Sequence, residues 1–231
     1  RAARMVPSEI RSLFAVASRP EIVSLAGGMP NLSALPMEMM ADVVKKLILD
    51  NGQEALQYGS GQGHPRLREQ ICEMMALEGI RAKSDDVVIT TGSQAALDLI
   101  TRIFIDPGDV ILVEAPSYVG ALGVFAQYQS QVVHVAIDDK GLIPAALTEA
   151  ITKVRAAGGK IKFLYCIPNF QNPSGVTMPA SRRTEILDIC RESEIFVVED
   201  NPYGLLGFDE AVPNAMRAED HENVIYLGSF S

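Results

Sequence analysis

From about residue 86 onward, short apolar runs rich in β-branched residues alternate with longer helix-compatible stretches, and this rhythm limits the possible folds more than any other feature. The runs are VVIT (87–90), VILVE (110–114), QVVHVAI (131–137), KIKFLYCI (160–167), EIFVVED (194–200) and NVIYLG (223–228). Residues 93–105, 117–129, 144–157 and 181–193 separate them. Apolar runs without polar alternation, joined through helices, predict a mostly parallel sheet covered on both faces, a three-layer α/β/α architecture. DPGD (106–109), DDKG (138–141) and AAGG (156–159) supply chain breaks where this scheme needs them.

The first sixty or so residues differ. Prolines 7, 20, 30 and 36 break them into an arm. Residues 37–50 (MEMMADVVKKLILD) form an amphipathic helix, and a second helix starts at Pro65 and runs to about Glu78. The balance of 20 Lys and Arg against 29 Asp and Glu, net charge −9, comes with no basic run and disfavours nucleic-acid binding. Cys72, Cys166 and Cys190 form no CxxC pair and read as reduced core thiols. His64, His134 and His221 are equally scattered, so no metal site is expected. No run approaches the ~20 apolar residues of a membrane span, and no signal-peptide core is seen at the start, so the expected location is cytoplasmic.

In parallel sheets ligands gather at the carboxyl ends of the strands. Four loops there carry distinctive residues. TGSQAALDL (91–99) opens a helix with Gly92, Ser93 and Gln94, whose free N–H groups and helix dipole suit an anion, unless Ser93 is simply an N-cap. APSYVG (115–120) places Tyr118 where it can stack on a flat ring or merely pack. PNFQNPSG (168–175) holds Asn172 in a tight turn at the sheet edge, able to donate to a phenolate or carboxylate oxygen. EDNPYG (199–204) closes an apolar strand with Glu199 and Asp200, carboxylates that burial penalises unless they are paired, and Tyr203 follows three residues on. One ligand satisfies all four loops: it has a phosphate, an aromatic ring, a phenolic oxygen and a ring nitrogen that becomes cationic beside Asp200. That ligand is pyridoxal 5′-phosphate.

Seven motifs in order, SLAGGMPN (24–31), LQYGSGQGHPRLRE (56–69), TTGSQAALDL (90–99), PGDVILVEAPSY (107–118), IPNFQNPSG (167–175), VVEDNPYG (197–204) and LGSFS (227–231), resemble the class I/II aminotransferases of PLP fold type I. Within that family the resemblance is to the 2-aminoadipate/kynurenine aminotransferase group. It implies that Gly92, Ser93 and Gln94 hold the cofactor phosphate, and that Tyr118 stacks on the pyridine ring. Asn172 and Tyr203 would bind the phenolic oxygen, with Asn172 also touching the substrate carboxylate, and Asp200 would pair with the ring nitrogen. Ser229 and Ser231 would flank the phosphate ahead of a Schiff-base lysine expected directly after Ser231. Gly28, Ser8 and Arg11 would border the substrate, and Tyr58 would reach the cofactor phosphate of the other subunit in a homodimer.

The same resemblance divides the chain into an arm with part of a small domain (1–50) and a PLP-binding large domain (51–231), the remaining small domain lying outside this chain. It implies transfer of an amino group from an L-amino acid, of 2-aminoadipate, aromatic or branched-chain type, to a 2-oxo acid such as 2-oxoglutarate by a ping-pong mechanism. Two alternatives share the fold: the effector domain of a MocR-like transcription regulator, and a PLP-dependent lyase. The chain reads NFQNPSG and EDNPY where such regulators tend to carry HQ and EDDYD signatures.

Overall fold

The computed structural model describes residues 19, 21–23, 32–208 and 212–230. They fall into two compact units, divided between His64 and Pro65. In the first, helix α1 (Met37–Ala55) carries no buried residue, and its apolar positions, among them Val43, Val44 and Leu47, are exposed.

The second unit is built on a six-stranded sheet: β1 (Val110–Ala115), β2 (Gln131–Asp138), β3 (Gly141–Leu142), β4 (Ile161–Cys166), β5 (Phe196–Asp200) and β6 (Val224–Leu227), in the order β3-β2-β1-β4-β5-β6. Every pairing is parallel except the short β2–β3 hairpin. The helices are α2 (Pro65–Met75), α3 (Gly92–Phe104), α4 (Val119–Gln127), α5 (Pro144–Ala156), α6 (Ala180–Glu192) and the single-turn α7 (Met216–Glu219). The expected mostly parallel sheet is therefore present. VVIT (87–90) departs from expectation: it forms no strand among the described residues, and Val88 is 56% exposed. β-Branched composition favours extended backbone, but a strand also needs a neighbour to pair with.

Strand parity assigns each side chain to a face. Val110, Leu112, Leu164, Cys166 and Val197 meet Leu147 and Ile151 of α5, Ile186, Leu187 and Cys190 of α6, and Met216 of α7. Ile111, Val113, Phe163, Tyr165 and Val198 meet Leu97 of α3 and Ala121, Val124 and Phe125 of α4. The helices supply these contacts at helical spacing, as in Ala121, Val124 and Phe125. Each fully buried Leu, Val or Phe contributes about 1.5–3 kcal/mol through removal of apolar surface from water. After β1 the chain goes outward to β2, then returns past β1 to β4. The strand order thus reverses between β1 and β4, the place where open α/β sheets bind ligands beyond their carboxyl ends.

Candidate active site

The same parity separates the two carboxylates that end β5. Glu199 turns toward α6 and α7, where its two oxygens accept the backbone N–H groups of Met216 and Arg217, each at 2.9 Å. It serves as the anionic cap of α7, and burial pushes its carboxyl up to about 7 against the pull of those two N–H donors. Asp200 turns toward α3 and α4. Its Oδ2 accepts the hydroxyl of Tyr165 at 2.6 Å, and its Oδ1 is buried with no partner among the described residues. Burial raises the Asp200 carboxyl above the usual range, and the Tyr165 bond offsets part of that rise. Tyr165 is itself completely buried, its ring edge-on to Phe125 with centroids 5.5 Å apart.

Helix α3 begins at the same end of the sheet. Thr91 (φ −77°, ψ 72°) forms a tight turn closed by Gly92 N to Thr90 O at 2.9 Å, and Gly92 has φ +75°, a conformation that glycine adopts without a Cβ penalty. The N-cap position is Thr91, whose side chain makes no capping hydrogen bond. The reading of Ser93 as an N-cap is thereby corrected, and the Thr91 side chain makes no capping bond to the first-turn N–H groups. Gln94 Nε2 donates to Gly120 O at 3.1 Å, tying this helix end to the start of α4 and so to the loop after β1. In that loop the ring of Tyr118 lies over Gly120: a Cβ there would sit 2.4 Å from the ring, which leaves only glycine room. Ser117 Oγ, beside it, is buried with no partner among the described residues.

After β4 the chain turns tightly, with Gln171 N bonded to Val176 O at 2.9 Å, and Asn172 is half-buried on this turn. Asn201 N donates to Leu227 O at 2.9 Å, which brings the half-buried Tyr203 and Ser229 onto neighbouring loops. The sheet thus gathers Gly92, Ser93, Gln94, Tyr118, Asn172, Asp200, Tyr203 and Ser229 at one end. Tyr58 lies in the first unit and is exposed. Ser8, Arg11, Gly28 and Ser231 lie outside the described residues.

Beneath these loops runs a buried polar network that the motifs did not reveal. Arg183, fully buried, donates from Nε to Met178 O (2.9 Å), from Nη1 to Asn214 O (2.8 Å) and from Nη2 to the Asn169 side chain (2.5 Å). Asn169 Nδ2 donates to Asn201 Oδ1 (2.8 Å), and Asn201 Nδ2 to Glu78 Oε1 (2.7 Å). Tyr226 OH donates to the other Glu78 oxygen. A sequence signal for Arg183 did exist: it stands three and four positions before Ile186 and Leu187, on the core-facing stripe of α6. Cys166 and Cys190 are buried free thiols as expected, whereas Cys72 is only half-buried.

The family profile "Aminotransferase class I and II" matches residues 20–231. The chain belongs to that family. It is 41% identical over 229 residues to the aromatic-amino-acid aminotransferase 1 of Thermococcus litoralis, covering 98% of this chain and 55% of that protein. It is 38% identical to the 2-aminoadipate transaminase of Thermus thermophilus, covering 100% and 56%. Among solved structures, the kynurenine aminotransferase of Pyrococcus horikoshii, in complex with PMP, superposes with a TM-score of 0.91 at 40% identity, covering 100% of this chain and 57% of that one. A more distant relative is YisV, an uncharacterised HTH-type transcriptional regulator of Bacillus subtilis, 32% identical over 92% of this chain and 43% of its own length. The chain spans little more than half the length of the aminotransferases it matches. No helix among the described residues is long and apolar enough to cross a membrane.

Proposed function

We propose that this chain forms the pyridoxal phosphate pocket of an aminotransferase that moves an amino group from an L-amino acid to a 2-oxo acid such as 2-oxoglutarate. The single observation that carries the reading is Asp200: a buried carboxylate with one oxygen held by Tyr165 and the other unmatched, on the face that α3 enters. A buried acceptor left unmet costs about 1–3 kcal/mol, so Oδ1 asks for a donor, and a protonated ring nitrogen is one. The first turn of α3, which the Thr91 side chain does not cap, suits the phosphate.

In this reading Gly92, Ser93 and Gln94, with Ser229 and Ser231, hold the phosphate, Tyr118 lies against the ring, and Asn172 and Tyr203 donate to its phenolic oxygen. When bound, the cofactor supplies an electron sink for the pair left at the substrate Cα. Asp200 keeps a proton on the ring nitrogen, which makes that sink deep. Asn172 also orients the substrate carboxylate, and Gly28, Ser8 and Arg11 border the substrate. Tyr58 reaches the phosphate of the partner in a homodimer, residues 1–50 make an arm with part of a small domain, and residues 51–231 belong to the PLP-binding large domain. Buried free thiols agree with a reducing cytoplasm. The names of the relatives favour 2-aminoadipate, aromatic or kynurenine-type donors.

The test is to incubate the full-length protein with PLP, 2-oxoglutarate and a panel of L-amino acids and to measure glutamate. Glutamate formed with an aromatic or aminoadipate donor supports the reading. PLP bound without glutamate from any donor points instead to a regulator's effector domain or to a lyase.

A further inference from the structure

Two buried polar side chains join the loops that follow the neighbouring strands β1 and β4. Glu114, fully buried at the end of β1, accepts Ile167 N at 3.0 Å and Gln171 Nε2 at 3.2 Å, both on Oε2. Gln171, 2% exposed, donates from the same Nε2 to Pro116 O at 2.8 Å, and its Oε1 accepts Ser174 N at 2.8 Å. One amide therefore touches the Tyr118 loop on one side and the Asn172 turn on the other. Its orientation is fixed by chemistry. Pro116 O is a carbonyl and Glu114 Oε2 already accepts Ile167 N–H, so only the NH₂ end of Gln171 can face them, while its oxygen must face the Ser174 N–H. Asn172 makes no side-chain hydrogen bond to the described residues, so its place depends on the turn that Gln171 anchors. Tyr118 stands two residues after Pro116, whose carbonyl is held by the same amide.

We propose that Gln171, oriented by Glu114, is the positioning residue that holds Tyr118 and Asn172 in register with each other across the strand-order reversal. It acts through those two residues and touches neither cofactor nor substrate. The inference rests on the proposed PLP pocket. Fixed groups matter here because a misplacement of about 1 Å in a positioning group can cost about 10²-fold in rate, and a site is only as fixed as the shell behind it.

The experiment uses the full-length protein and four variants: Gln171→Met, which keeps the buried volume and deletes the amide, Gln171→Ala, Glu114→Gln and Glu114→Leu. Each is measured by thermal unfolding, by visible circular dichroism of bound PLP, which reads how the ring is held, and by kcat/KM with the best amino donor. Gln171→Met is expected to fold, to change the visible dichroism and to lose about 10²-fold in kcat/KM. Glu114→Gln, whose amide oxygen still accepts both N–H groups, is expected to stay within about threefold of the parent, while Glu114→Leu follows Gln171→Met. A folded Gln171→Met with unchanged dichroism and kcat/KM within about threefold of the parent overturns the proposal. So does a Glu114→Gln variant as impaired as Glu114→Leu. If neither Gln171 variant folds, the two Glu114 variants decide by the same criterion. A parent protein that takes up no PLP at all would instead count against the proposed function.

Discussion

Replacing Glu114 with glutamine should change the pH dependence of stability in a calculable way. Glu114 is fully buried, and burial pushes its carboxyl from the ordinary 4.5 up to about 7, against the pull of the Ile167 and Gln171 donors. Below pH 4.5 the group is protonated in the folded and the unfolded chain, and it imposes no electrostatic penalty. Between 4.5 and about 7 the unfolded chain gives up its proton first, so the folded state binds more protons and stability falls as pH rises. Above about 7 the full penalty is in place, about 3 kcal/mol at about 1.4 kcal/mol per tenfold change in proton affinity. Glutamine keeps the shape and the acceptor and has no such proton to lose. Urea unfolding at pH 5 and pH 8 measures the effect. Parent and variant should be of similar stability at pH 5, and at pH 8 the variant should be ahead by about 2–3 kcal/mol. Glu199, also pushed up to about 7, and Asp200, raised by burial, are present in parent and variant alike, so what they contribute cancels in the difference between the two proteins, while Asp109 and Asp220 are held below their usual range. Equal losses in parent and variant between the two pH values would refute the reasoning.

Two further outcomes follow from the same contacts. Arg183→Met removes the donor common to Met178 O, Asn214 O and the Asn169 side chain, and should cost about 3–5 kcal/mol in urea unfolding; a loss under about 1 kcal/mol would show that the buried network contributes little. Gly120→Ala places a methyl 2.4 Å from the Tyr118 ring and must displace it. PLP affinity, read by fluorescence titration, should fall by up to about tenfold, the upper range of an aromatic contact, and unchanged affinity would remove Tyr118 from the pocket.

Much of this was legible in the sequence, for identifiable reasons. The helices expected at 144–157 and 181–193 run Pro144–Ala156 and Ala180–Glu192, because breakers and apolar spacing mark both ends. Asp200 stood out because a carboxylate closing an apolar strand demands a partner. Its actual partner in the fold, Tyr165, lies 35 positions earlier and depends on the β4–β5 register, which no local pattern encodes. Register also decides that Glu199 and Asp200, adjacent in the chain, do unrelated work on opposite faces. VVIT has the composition of a strand without being one, because composition speaks to backbone extension and not to pairing. No local pattern marks Gln171 and Glu114, because their roles arise from contacts between residues 53 and 57 positions apart in the chain.

In the proposed pocket, Oδ1 of Asp200, unmatched among the described residues, receives the cofactor's ring nitrogen. The direct measurement is the ¹⁵N NMR shift of ring-labelled PLP bound to the parent protein and to Asp200→Asn at pH 8. Opposite charges about 4 Å apart attract by about 4 kcal/mol at an effective dielectric of 20, so the account predicts a protonated ring nitrogen in the parent and a neutral one in the variant, with PLP held up to roughly 10³-fold more weakly. A neutral ring nitrogen in the parent, or one still protonated in the variant, would contradict it.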